Sequence, residues 1–170
     1  MKHLLLAALC SFSLAVHAQG DDRTAKSSPH NVNVNGGFNY GGFTFGVGYE
    51  HMYDSSTGIG GHLRIFNKDD DALIGMPGLT IIGATLGHHF YKRAWDLAFT
   101  PSFNLINIDA ARAGQEDVTT FGPGMSISLV WAMTDRASFG FDFTNYWVWF
   151  DDDWKGTSID DLSAKLRLSF

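Results

Sequence analysis

The chain has 170 residues, a formal charge of −6 and a single cysteine, Cys10. The acidic balance argues against a nucleic-acid partner, which calls for a basic surface, and one cysteine cannot build a disulfide framework. Mean hydropathy is −0.05 and no stretch is apolar over the roughly 20 residues of a membrane-spanning helix, yet 14% of residues are aromatic and 19 are glycine.

Residues 1–18 read as a secretory signal peptide. Lys2 and His3 form a short basic start, an apolar run extends from Leu4 to Val16, and Val16-His17-Ala18 supplies a small-residue exit with cleavage expected after Ala18. No small residue directly precedes Cys10, as a lipoprotein signal would need, so Cys10 leaves with the signal. The mature chain is then an exported protein without disulfides. Residues 19–30 form a polar leader, and residues 31–170 form one domain.

Alternation with a period of two runs through almost all of that domain and predicts eight strands. The first, 31–40, sets Val32, Val34, Phe38 and Tyr40 against Asn31, Asn33, Asn35 and Asn39. The second, 43–53, sets Phe43, Phe45, Val47, Tyr49 and Tyr53 against Thr44, Gly46, Gly48 and Glu50. The third, 58–66, opposes Ile59, Leu63 and Ile65 to His62 and Arg64, and the fourth, 80–90, points Ile82, Ala84, Leu86 and Phe90 outward. The fifth, 95–105, carries Trp95, Leu97, Phe99, Phe103 and Leu105 opposite Asp96, Thr100, Ser102 and Asn104. The sixth, 120–131, carries Phe121, Met125, Ile127, Leu129 and Trp131 opposite Gly122, Gly124, Ser126 and Ser128. The seventh, 138–149, puts Phe139, Phe141, Phe143, Trp147 and Trp149 against Ser138, Gly140, Asp142 and Thr144. The eighth, 161–170, alternates Leu162, Ala164, Leu166, Leu168 and Phe170 with Asp161, Ser163, Lys165, Arg167 and Ser169.

A soluble sandwich would have to bury all those large rings between two sheets while showing solvent a Gly- and Ser-rich face. A membrane barrel satisfies both faces at once, with large apolar residues toward lipid and small polar ones filling the lumen. Strand lengths suit a tilted membrane strand, and Trp95, Trp131, Trp147, Trp149 and Phe170 collect near strand ends, where interfacial girdles form. The fold class is therefore all-β, an eight-stranded antiparallel up-and-down transmembrane barrel. Short connections at 54–57, 91–94 and 133–137 fall on the periplasmic side. The longer ones, "NKDDDALIGMPG", "NIDAARAGQEDV" and "FDDDWKGTSID", face outside, and Gly41-Gly42 makes an unusually tight first outer hairpin.

Three stretches carry a resemblance: "GGFTFGVGYEHMYDSSTGIGGHLRIF", "AMTDRASFGFDF" and the C-terminal "DLSAKLRLSF". In these the chain resembles small Gram-negative outer-membrane barrels of the OmpX/Ail and OmpA transmembrane-domain type. The resemblance implies an outer-membrane location, with membrane lipid and lipopolysaccharide as surroundings and a monomeric state. It also implies that Leu162, Ala164, Leu166, Leu168 and Phe170 are the signal read by the barrel-assembly machinery.

The inward-facing charges are Glu50, His62, Arg64, Asp96, Asp142, Asp161, Lys165 and Arg167. Desolvated charges must pair, and an eight-stranded lumen is just wide enough for side chains to fill. A sealing ion-pair network is the expectation, with a narrow low-conductance pore for small solutes as the alternative. Asp69, Asp70, Asp71, Asp151, Asp152 and Asp153 in outer loops could offer oxygen ligands to divalent cations, although their spacing fits no EF-hand. His88 and His89 point to opposite faces of a strand and make no metal clamp. Lipid A deacylases and palmitoyltransferases are small barrels that use His, Ser and acidic residues. No His-x-Ser pair occurs among His30, His51, His62, His88 and His89, and no nucleophile–base–orienter set can be assembled. The expectation is a structural or surface-interacting protein without enzyme activity, metal or cofactor, with a lipid A-modifying enzyme as the third reading.

Overall fold

The computed structural model describes residues 28–39, 42–67, 78–109, 116–152 and 154–170. The expected signal peptide, most of the leader, the tip of the first outer hairpin and Asp69, Asp70, Asp71 and Asp153 lie outside these residues. The described residues contain eight strands: β1 His30–Asn39, β2 Gly42–Met52, β3 Thr57–Phe66, β4 Leu79–Lys92, β5 Trp95–Ile108, β6 Val118–Ala132, β7 Ala137–Trp147 and β8 Ser158–Ser169. Each pairs antiparallel with the next, and β8 returns to β1, so the sheet closes into a barrel. The closing seam runs from Asn31 opposite Ser169 to Phe38 opposite Leu162. It is locked beyond the last strand residue by reciprocal backbone hydrogen bonds between His30 and Phe170, at 3.2 and 3.0 Å.

The pleat puts alternate residues on opposite faces, and the faces follow the sequence pattern. Phe43, Phe45, Val47 and Tyr49 of β2 are exposed outward while Thr44 and Glu50 are buried inward. On β7 Phe139, Phe141 and Phe143 point out and Asp142 and Thr144 point in. On β5 the outward apolar belt runs from Trp95 to Leu105. At about 3.3 Å per residue and a tilt of about 40°, those positions span about 25 Å, the height of an apolar band in this kind of barrel.

The turns at one end are tight and internally bonded. Asp54 Oδ1 accepts from the Ser56 amide (2.7 Å), the Ser56 hydroxyl (3.0 Å) and the Thr57 amide (2.7 Å). Thr134 Oγ1 accepts from the amides of Arg136 and Ala137. β4 and β5 are joined through Arg93 and Ala94, with Arg93 in the left-handed region at φ 56°. This is the turn end of the barrel, and the opposite one is the loop end.

Several strands depart from the sequence expectation at the loop end. β5 continues past Leu105 to Ile108, β6 starts at Val118 and β8 starts at Ser158, whereas β7 leaves the regular ladder after Trp147. The reason is a reversal of polarity along the strands. Beyond the apolar belt the inward residues become apolar, and polar residues appear outward on β5, β6 and β8, while Trp147 and Trp149 stay outward at and after the end of β7. Ile106 and Ile108 face in while Asn107 bonds outward to Thr119 (2.9 Å). Tyr146 and Val148 face in while Asn145 bonds to Ser158 (2.6 Å) and Asp160. Phe66, Leu79, Ile81, Ile106, Ile108, Tyr146, Val148 and Ile159 form one buried cluster, with Val118 and Trp154 packed against it. Above the belt the barrel is thus organised like a soluble one, and an apolar cap fills its loop end.

Candidate functional site in the barrel lumen

Below the cap the lumen is polar. Its middle layer is built on Arg64, which β3 projects inward opposite Gly46 of β2. A Cβ at Gly46 would lie 2.6 Å from Arg64 Cδ, so glycine here leaves the room that the Arg64 side chain takes in crossing the lumen. Arg64 pairs with Asp142 of β7 and Asp161 of β8 and donates to Ser163 Oγ at 3.0 Å. The rest of this layer satisfies the same carboxylates. Thr44 donates to Asp161 (2.8 Å), Ser126 to Asp142 (2.8 Å) and Asn35 to Asp142 (3.2 Å). Lys165 Nζ lies 3.5 Å from Asp142 Oδ1. Buried carboxylates with this many partners meet the requirement that desolvated charge be paired and hydrogen-bonded.

A second layer lies toward the turn end. His89 of β4 sits between two carboxylates, with Nδ1 2.8 Å from Asp96 Oδ2 and Nε2 3.1 Å from Glu50 Oε1. Arg167 closes the layer by pairing with Asp96 and donating through Nε to Asn33 Oδ1 (3.3 Å). Asn31 Nδ2 donates to Glu50 Oε2 (3.3 Å). Tyr91 stacks on the His89 ring at 5.6 Å. Gly58 and Gly87 flank the Glu50 carboxylate, and a Cβ at either would come within 2.5 Å of Glu50 Oε1.

Two cavities border this second layer. One of about 60 Å³ lies between the layers, lined among others by Glu50, His62, Arg64, Thr85, His89, Asp142, Tyr146 and Lys165. The other, about 260 Å³, is a vestibule at the turn end lined by Asn31, Tyr91, Trp95, Asp96, Arg167 and Ser169 among others. Arg167 borders both.

All eight inward charges expected from the sequence point into the lumen, and seven join the two layers. Among the described residues His62 makes no ion pair with a carboxylate. Its Nε2 lies 3.3 Å from the Tyr146 hydroxyl, on the underside of the cap. His89, Tyr146 and the apolar cap were not foreseen. His89 follows from strand parity, since Ile82, Ala84 and Leu86 point out, and His88 accordingly faces out while His89 is buried inside. Glu50 and Asp96 occupy opposite nitrogens of one ring and converge on no shared point. Among the described residues no group of three or more His, Cys, Asp and Glu side chains could hold a metal ion.

Of the acidic loop residues, Asp151 accepts the Trp154 amide on Oδ1 (2.9 Å) and caps its own loop, while Asp152 is exposed. Leu162, Leu166, Leu168 and Phe170 are exposed on the outer face of β8 and at its end, with Ala164 half-buried between them.

The sequence matches no protein-family profile and no curated protein. Solved structures do match in fold. The N-terminal β-barrel domain of Pseudomonas aeruginosa OprF superposes with a TM-score of 0.65 at 8% identity, covering 84% of this chain and 98% of that one. Neisserial surface protein A gives 0.58 at 17% identity, over 83% and 94%. The outer-membrane enzyme PagL gives 0.55 at 12% identity, over 82% and 99%. The chain has the closed eight-stranded architecture of small outer-membrane β-barrel proteins.

Proposed function

We propose that this protein is an exported barrel of the Gram-negative outer membrane with a structural or surface-interacting role and a lumen sealed by its internal ion pairs. Arg64, buried at 5% exposure and pairing from β3 with carboxylates on β7 and β8, is the observation that carries the reading. A side chain committed across the lumen to two partners supports a closed path at that level, in a barrel just wide enough for side chains to fill. The outward belt of Phe, Leu, Ile and Trp supports a lipid surrounding. The surrounding lipid includes lipopolysaccharide at the loop end, and the exposed apolar ladder of β8 ending at Phe170 addresses the assembly machinery. Export through a cleaved signal at 1–18 completes the proposal, and outer-loop acids such as Asp152 provide surface contacts.

Single-channel recording of the refolded mature protein in a planar bilayer tests it, with folding verified by the heat-sensitive shift of barrels on a denaturing gel. A silent bilayer with folded protein is the expected result. Reproducible conductance steps that change with Asp142→Asn would replace the sealed barrel with a narrow pore. Altered lipid A mass in cells expressing the protein would point to the fold's enzymatic use.

A further inference from the structure

The lumen is asymmetric along its axis, and the two ends are closed by different chemistry. At the loop end the seal is the apolar cluster of Ile81, Ile106, Ile108, Tyr146, Val148 and Phe66, each at most 2% exposed. That cluster is held by apolar packing, and the Tyr146 hydroxyl meets His62 on its underside. At the turn end the layer between the inner cavity and the vestibule is built on Glu50, His89, Asp96 and Arg167, with Asn31 and Asn33 bonded to it.

That layer depends on a proton. A neutral imidazole has one N–H and one lone pair, yet both ring nitrogens of His89 face carboxylate oxygens at hydrogen-bond distance. A lone pair aimed at a carboxylate repels it, so the layer needs a further proton, and an imidazolium supplies a donor to each carboxylate. Charge balance agrees. Glu50, Asp96, Asp142 and Asp161 oppose Arg64, Lys165 and Arg167, and His89 supplies the missing positive charge. The groups facing His89 are Glu50 from β2, Asp96 from β5 and Tyr91 of its own strand, with Arg167 of β8 on the far side of Asp96 and Lys165 lining the inner cavity. Among the described residues Asp96 Oδ1 is buried without a hydrogen-bond partner, so Asp96 joins the layer through Oδ2.

We propose that the lumen is a one-ended compartment for water and small polar solutes. It is closed permanently toward the loop end by the apolar cap and held shut toward the turn end by the imidazolium of His89. Loss of that proton puts two carboxylates against an uncharged ring, parts Glu50 from Asp96, and joins the inner cavity to the vestibule. The compartment then communicates with the turn side and never with the loop side. This inference rests on the sealed-barrel reading.

The experiment places a lone cysteine at Thr85, which lines the inner cavity, in protein refolded into lipid vesicles. A small charged methanethiosulfonate reagent is applied to one side at a time. Asp135→Cys at the turn end and Asp152→Cys at the loop end report orientation and correct for the effect of pH on thiol reactivity. Corrected labelling of Thr85→Cys from the turn side should rise at least tenfold between pH 6 and pH 10, or at pH 6 on adding His89→Gln. Labelling from the loop side should stay at background throughout. Equal labelling from both sides, or a turn-side rate indifferent to both pH and His89→Gln, overturns the proposal. Should His89→Gln fail to fold, nitrogen NMR of the otherwise native protein decides, because a His89 ring with an unprotonated nitrogen at pH 6 overturns it and two protonated nitrogens support it. Channel steps in the native protein would instead defeat the sealed-barrel reading, whatever the labelling shows.

Discussion

Arg64 and Asp161 stand 97 residues apart in the chain and form a buried ion pair inside the barrel. The pair ties β3 to β8, two strands that share no backbone ladder, and Arg64 extends the tie to Asp142 on β7. The interior is therefore cross-braced in addition to being hydrogen-bonded around its wall.

Removing the brace should cost more than the brace is worth in isolation. Arg64→Met strips the guanidinium from two buried carboxylates, and uncompensated charges of that kind cost about 3–5 kcal/mol. We expect Arg64→Met to lower the urea midpoint of the folded band in detergent micelles. Adding Asp142→Asn and Asp161→Asn should restore much of the loss. A triple variant no more stable than Arg64→Met would show that the charges were hydrated all along.

Gly87 leaves the space that Glu50 occupies, since its Cβ would lie 2.4 Å from Glu50 Oε1. Gly87→Ala should push the carboxylate off His89 and cost about 1–3 kcal/mol as an overpacked site. The cost should shrink in a Glu50→Ala background, where the clash disappears. A double-mutant cycle measures the coupling, and strictly additive effects would place the strain elsewhere.

The polarity reversal predicts opposite responses at neighbouring positions of one sheet. Ile106 is fully buried in the cap, so Ile106→Ala should cost about 2–5 kcal/mol. Ile82 is 54% exposed on the outer belt, where lipid or detergent refills the vacated volume, so Ile82→Ala should cost distinctly less. Comparable losses would mean that the cap is not a packed core.

Asp54 lies in the β2–β3 turn, outside the belt. The hydrogen bond from the Ser56 amide, with those from the Ser56 hydroxyl and Thr57, holds its carboxyl below the ordinary value of 3.8. A depressed folded value means that the turn gains stability above the unfolded value and loses it as pH falls through the folded one. Amide exchange at Ser56 and Thr57 should accelerate below about pH 4 relative to the intrinsic rate. Asp54→Ala should abolish that pH dependence, leaving exchange fast throughout.

The strand number and the inward and outward faces were legible because period-two alternation persists for many residues and parity then assigns every side chain. His89 was hidden only by being read beside His88 instead of along its strand. The cap was hidden for a better reason. "LINI" at 105–108 has apolar residues on both faces, so the alternation that reveals a belt is silent where the belt ends and the interior turns apolar. Which carboxylate meets which base was not legible either. Arg64 finds Asp142 and Asp161 through the stagger of a closed barrel, and no local pattern fixes that stagger.

The seam has a consequence for timing. Asn31 meets Ser169 across 138 residues of sequence, so the ring cannot shut until two strands far apart in the chain are both in place. Until β8 docks, β1 is a strand edge waiting for its neighbour, open to pairing with the wrong one. Local hairpins can form early, whereas the longest-range ladder forms last and pays the largest closure entropy. A barrel joined end to end in this way stays vulnerable until complete, and once complete it has no edge from which to fray.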